Sequence, residues 1–143
     1  MTGRGVSPMA EPDAFGETGT VSVSMVIVDD DPEFRRLAAE LFAAHGVDVL
    51  AVAEDGAGGI AAVGEHQPDW VLLDVNLPDT DGVAVSRALQ RQKSGASILL
   101  ASTGQGLWSD EELAEAGVQR YVDKDRLFDA DVLQLVLGGQ ASR

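Results

Sequence analysis

The sequence predicts an α/β domain: a parallel sheet wound with helices on both faces. Two observations carry this. From Val21 to Leu137, apolar β-branched segments alternate five times with capped, amphipathic segments. Such alternation forces parallel strands joined by right-handed crossovers. The residues with chemistry to offer, Asp29, Asp30, Asp31, Asp74, Ser102 and Lys124, each stand at the C-terminal end of a predicted strand. Doubly wound sheets place their ligands there, near the topological switch point.

Residues 1–20 hold Gly3, Gly5, Pro8, Pro12, Gly16 and Gly19 without any period. They predict a disordered leader. Val21 to Val28 reads as a buried strand, closed by acids. Asp31 offers an N-cap and Pro32 the first helical position. Phe34, Leu37, Ala38, Leu41 and Phe42 then recur at helical spacing as an inward stripe, and Gly46 ends the helix. Val47 to Ala53 is the second strand. Asp55 caps a second helix with Ile60 and Val63 inward, expected to be weak because Gly56, Gly58 and Gly59 fall in its first turns.

After Pro68, Asp69 to Leu73 is a short buried strand, with Trp70 in the core. Asp81 caps a third helix carrying Val83, Val85, Ala88 and Leu89, and Ser97 to Ser102 forms the fourth strand. Gly104 and Gly106 mark a flexible loop. Ser109 and Glu112 spell a capping box for a fourth helix, which Gly117 ends. Val118 to Val122 is the fifth strand, and Leu127 to Leu137 the last helix, with Leu133, Val136 and Leu137 inward. The polar residues beyond it, 139–143, are expected to fray.

Composition narrows the function. The 143 residues suffice for one core rather than two. No apolar run reaches about 18 residues, so no membrane span is expected, and the N-terminus lacks the pattern of a signal peptide. The expectation is a soluble, cytoplasmic protein. The absence of cysteine excludes disulfides, thiolate metal sites and cysteine nucleophiles. A net charge of −14, with no basic cluster beyond Arg35-Arg36, argues against nucleic acid. It suits cations or basic protein surfaces instead. Gly56-Ala57-Gly58-Gly59 lacks both the dinucleotide spacing and a Walker lysine, so no nucleotide site is predicted.

The acids at the strand ends repel one another, and a hard divalent cation with oxygen ligands would neutralise them. Mg2+ suits two or three carboxylates with an open face for phosphate. Asp29 and Asp30 are adjacent, so their side chains diverge. One can bind metal directly and the other through water. Asn76, two residues past Asp74, is placed to lend its backbone carbonyl. An aspartate that attacks phosphorus needs metal on the phosphoryl oxygens, a cation on the product and a hydroxyl for the remaining oxygen. Mg2+, Lys124 and Ser102 fill these posts. The product adds about two negative charges at the strand tips, around which the loops and fourth helix would rearrange.

Taken together, Ile27-Val28-Asp29-Asp30-Asp31-Pro32, Val71-Leu72-Leu73-Asp74-Val75-Asn76-Leu77-Pro78 with Asp81-Gly82, Ala101-Ser102-Thr103 and Tyr121-Val122-Asp123-Lys124 resemble the response-regulator receiver family of two-component signalling. The resemblance runs from about Val23 to Leu137. It implies a flavodoxin-like (βα)5 fold with strand order 2-1-3-4-5, a receiver domain over residues 21–138, and phosphorylation of Asp74. Asp29, Asp30, Asp74 and the Asn76 carbonyl would hold Mg2+, with Asp30 favoured over Asp29 as a direct ligand. Lys124 would pair with the phosphoryl group. Ser102 would be the switch hydroxyl, since its 22-residue separation from Lys124 matches the family better than that of Thr103. Tyr121 matches the switch aromatic, which changes rotamer with the hydroxyl. Its alternative is a core-edge ring with no switching role. The implied partners are a sensor histidine kinase or phosphotransfer protein and an unidentified downstream protein. The implied role is that of a stand-alone switch rather than an enzyme, apart from slow autodephosphorylation.

Three departures stand out. Asp125 replaces the usual proline after the lysine and with it the usual cis bond. Thr103 is larger than the common Ala or Gly and is expected to hinder access to the phosphoryl group. Gly104 to Trp108 carries two glycines, which would loosen the signalling face. Trp108 is either an exposed partner anchor or packed on the sheet, and His45 and His66 are surface residues. Two other functions fit less well. A pseudo-receiver would need no acid set, and a haloacid-dehalogenase-type phosphatase needs an aspartate where Asn76 stands.

Overall fold

A computed structural model describes residues 22–104 and 108–141. The leader expected over residues 1–20, the centre of the glycine loop and the last two residues lie outside them. The elements are β1 (Ser24–Val28), α1 (Pro32–Ala44), β2 (Asp48–Ala53), α2 (Gly56–His66), β3 (Trp70–Asp74), α3 (Gly82–Arg91), β4 (Ser97–Ser102), α4 (Asp110–Glu115), β5 (Val118–Asp123) and α5 (Ala130–Ala141). All four strand pairings are parallel. The order β2-β1-β3-β4-β5 is the expected flavodoxin-like topology. The order reverses between β1 and β3, and β1 and β3 carry the acids at their C-terminal ends.

The strands read as continuous apolar runs because both faces of the sheet are covered. Side chains alternate between two cores. Met25, Ile27, Leu72 and Leu99 face α1 and α5, where they meet Ala38, Phe42, Val132 and Val136. Val26, Val28, Val71, Leu73, Ile98 and Leu100 face α2, α3 and α4, where they meet Val63, Val85, Leu89 and Leu113. Among the described residues no helix is long and apolar enough to cross a membrane.

The helices begin where the capping signals place them. Asp31, Asp55 and Asp81 accept hydrogen bonds from the N–H groups of Glu33, Gly58 and Ala84. Ser109 and Glu112 close a full capping box. Each such cap stabilises its helix by about 1 kcal/mol.

One expectation gains a physical reason and two need correction. First, α2 forms as expected, and close packing requires its glycines. A Cβ on Gly59 would lie 2.8 Å from Val28 Cγ2. Second, Leu37 does not face the core; it is 47% exposed. The stripe of α1 narrows to Ala38 and Phe42, with Phe34 partly buried. Third, α5 starts at Ala130, not Leu127. Lys124–Arg126 form a 3-10 turn capped by the Asp123 side chain, which accepts from the Asp125 N–H at 3.1 Å. Leu127 fills the core ahead of the helix, and the Phe128 ring packs tilted against Phe42, with centroids 4.8 Å apart. At the other end the backbone remains helical to Ala141.

Candidate functional site

The fold brings the distant acids together. Asp29 directly follows β1 and Asp74 ends β3, and these two strands are paired neighbours. Asp29, Asp30 and Asp74 each present one carboxylate oxygen, all within 4.8 Å of one another. Asp29 and Asp74 are buried, at 1% and 7% exposure, and Asp30 is exposed. Lys124 leaves the end of β5 and reaches across. Its Nζ lies 2.6 Å from Asp29 Oδ2 and 3.4 Å from Asp74 Oδ1. The same ammonium stands 4.2 Å from the centroid of the Phe34 ring.

The backbone around Asp29 is held in detail. Its Oδ1 accepts from the Asp31 N–H at 2.9 Å. Its carbonyl accepts from Arg35 Nη1 at 2.7 Å. Asp29 Oδ2 is buried, and its close polar neighbour among the described residues is the Lys124 ammonium, 2.6 Å away. The ammonium is the charge that balances this buried carboxylate oxygen.

Burial raises the Asp74 pKa from 3.8 to about 6, helped by the nearby Asp29 charge. Lys124 and the Asn76 N–H pull the other way without cancelling it. Burial by itself lowers the Lys124 pKa. The contacts with Asp29 and then Asp74 outweigh it, and the amine stands above the ordinary lysine value. The result is a carboxylate that is costly to charge beside a cation that is hard to discharge.

Asn76 lies on the loop after Asp74, which folds back on itself. Asn76 and Asp81 form an isolated antiparallel bridge, and the Gly82 N–H donates to the Val75 carbonyl at 2.7 Å. A Cβ at Gly82 would collide with the Asp74 carbonyl, so only glycine permits this return. The loop is tied to α2 as well. Asp79 accepts from the N–H groups of Gly56 at 2.8 Å and Ala57 at 3.0 Å, and these bonds lower its pKa.

Ser102 ends β4, one residue beyond Ala101, the partner of Asp74 in the sheet. It is buried, whereas Thr103 is exposed. Ser102 Oγ accepts from the Gly104 N–H at 3.1 Å, and the Tyr121 hydroxyl donates to the Gly104 carbonyl at 3.2 Å. Gly104 is therefore gripped from both sides, by the two residues singled out as a switch. The Tyr121 ring packs against the α2–α4 core, as does Trp108. His45 and His66 are exposed, at or next to helix ends.

Sequence reasoning singled out the acids, Lys124, Ser102, Tyr121 and Asn76, and the structure places Asp29, Asp30, Asp74 and Lys124 together. The same reasoning missed Phe34 as a neighbour of Lys124, the grip of Arg35 on Asp29, and Asp79. Phe34 read as an ordinary stripe residue. The other two act on backbone atoms, for which a single sequence carries no signal.

A family model for the response regulator receiver domain matches residues 25–136. The chain belongs to this family. As a receiver domain it is 27% identical over 110 residues to the chemotaxis protein CheY of Bacillus subtilis, covering 74% of this chain and 92% of that one. It spans less than half the length of the mycobacterial transcriptional regulatory proteins it also matches. Its fold superposes on the signal receiver domain of the response regulator NarL from Mycobacterium tuberculosis with a TM-score of 0.74 and 28% identity. That match covers 85% of this chain and 98% of the other. The response regulator TrrA of Thermotoga maritima, solved in complex with Mg(2+)-BeF, matches with a TM-score of 0.67 and 27% identity, over 75% of this chain and 90% of that one. Receiver domains are signalling modules that bind Mg2+ at an acidic pocket and exchange signals with histidine kinases or phosphotransfer proteins and downstream targets.

Proposed function

We propose that this receiver domain accepts a phosphoryl group on Asp74, in a Mg2+-dependent transfer from a sensor histidine kinase or phosphotransfer protein, and so switches a protein-binding surface. The observation that carries this is the convergence of Asp29, Asp30 and Asp74 with Lys124 at the C-terminal edge of the sheet. A hard divalent cation fits the donor set, since three carboxylates each offer an oxygen, all within 4.8 Å of one another. Asp29, Asp30, Asp74 and the Asn76 carbonyl would hold it. When bound, Mg2+ neutralises phosphoryl oxygens and lets the donor approach an acidic pocket.

Asp74 supplies the nucleophile. A carboxylate oxygen forms the new O–P bond as the bond from phosphorus to the donor nitrogen breaks, and the released imidazole takes a proton from solvent. Lys124, already beside Asp74, pairs with the transferred group and keeps its positive charge throughout. Ser102 Oγ accepts the Gly104 N–H in the resting state. Turning to donate to a phosphoryl oxygen releases that N–H. Because the Tyr121 hydroxyl holds the carbonyl of the same residue, the release frees the ring as well and reshapes the surface ahead of α4. Thr103, exposed at the mouth, would limit the access of water to the acyl phosphate.

Incubation with a small phosphodonor and Mg2+, followed by intact mass measurement, tests the proposal. The expected result is a gain of one phosphoryl group that requires Mg2+ and is absent in Asp74→Asn. No gain in the wild type, or the same gain in the variant, would refute it.

A further inference from the structure

Lys124 sits at the end of a long, flexible stem, and the chain around it does little to aim it. Asp125 follows where the family has proline. The turn that begins at Lys124 is capped by the Asp123 side chain, which holds the Asp125 N–H and not the amine. The ammonium forms ion pairs with two carboxylates, Asp29 Oδ2 at 2.6 Å and Asp74 Oδ1 at 3.4 Å. On a further side stands the Phe34 ring, its centroid 4.2 Å from Nζ. Attraction between an ammonium and an aromatic face strengthens as water is excluded, and the Lys124 side chain is only 12% exposed. The ring is itself fixed, since Phe34 packs against the core formed by Ala38, Phe42 and their neighbours.

The geometry points to Phe34 as a positioning residue for Lys124: its ring face replaces the missing proline in setting where the ammonium meets the phosphoryl group. This rests on the reading of Asp74 as acceptor. The ring attracts the amine whatever the charge on either carboxylate, so it aims Lys124 through the whole transfer.

Four versions of the chain test this: wild type, Phe34→Leu, Phe34→Trp, and one with fluorinated phenylalanine at position 34, which keeps the shape and weakens the face. The first readout is the NMR shift of the Lys124 side-chain protons without any phosphodonor. The ring should displace them, and the displacement should vanish in Phe34→Leu. The second is beryllofluoride affinity with Mg2+ present. It should fall roughly fivefold in Phe34→Leu, fall by less with the fluorinated ring, and be restored in Phe34→Trp. A Phe34→Leu protein matching wild type in both readouts would overturn the inference. If Phe34→Leu fails to fold, the fluorinated chain decides: unchanged affinity there overturns it too. A wild type that never takes up beryllofluoride would sink the acceptor reading, yet leave the proton shifts as an independent test of the contact.

Discussion

Asp74 carries the sharpest consequence at the scale of single residues. Its pKa is raised from 3.8 to about 6, chiefly by burial. A carboxylate raised on folding binds its proton more tightly in the folded chain. Stability therefore falls as pH rises between those two values and stays lower above them. Each unit of such a shift corresponds to about 1.4 kcal/mol, and water at the open face of the site screens part of it. Asp74→Asn should thus stabilise the Mg2+-free protein at neutral pH by on the order of 1 kcal/mol. The gain should disappear near pH 4. Urea unfolding at the two pH values checks this, and a gain that is equal at both would show that burial of the charge is not its source. The convergence of the acids and Lys124 was readable in sequence because it depends on residue type at strand ends. The contacts that aim it, Phe34 on Lys124 and Arg35 on the Asp29 carbonyl, were not, because a stripe residue and a surface arginine look alike wherever they occur.

Between elements, the loop after Asp74 and the start of α2 behave as one unit. Asp79 bridges them through two backbone N–H groups, and the same bonds depress its pKa. A depressed carboxylate contributes stability above its ordinary range and loses it as pH falls through the folded value. Asp79→Ala should therefore lower the melting temperature at neutral pH, with the difference from wild type shrinking in acid. It should also weaken Mg2+ binding, since the loop that carries Asn76 loses its anchor. Calorimetric melting and a Mg2+ titration read the two effects separately. The short α4 holds for similarly local reasons: a capping box at its start, and the buried Ser86 hydroxyl donating to the Ala116 carbonyl at its end, 2.7 Å away. Caps were legible in sequence because Asp, Ser and Glu act over three residues. The start of α5 was not. Leu127 looks helical by hydrophobicity, but the preceding 3-10 turn delivers it to the core first.

Across the whole molecule, the alternation of strands and helices was enough to give a parallel sheet covered on both faces, and the family resemblance supplied its strand order. Five buried runs between capped helices admit few arrangements of a parallel sheet. The order β2-β1-β3-β4-β5 puts the reversal between β1 and β3, and with it the acids. A net charge of −14 adds long-range repulsion within an already crowded acidic pocket, so cation binding and folding should reinforce one another. The convergence of Asp29, Asp30, Asp74 and Lys124 is most directly tested by calorimetric titration with Mg2+ at low salt. One ion per chain should bind to the wild type. Affinity should fall at least tenfold in Asp30→Asn or Asp74→Asn and rise in Lys124→Ala, where a competing cation is removed. Absence of binding in the wild type, or equal binding in all four proteins, would mean that these residues do not form a single cation site.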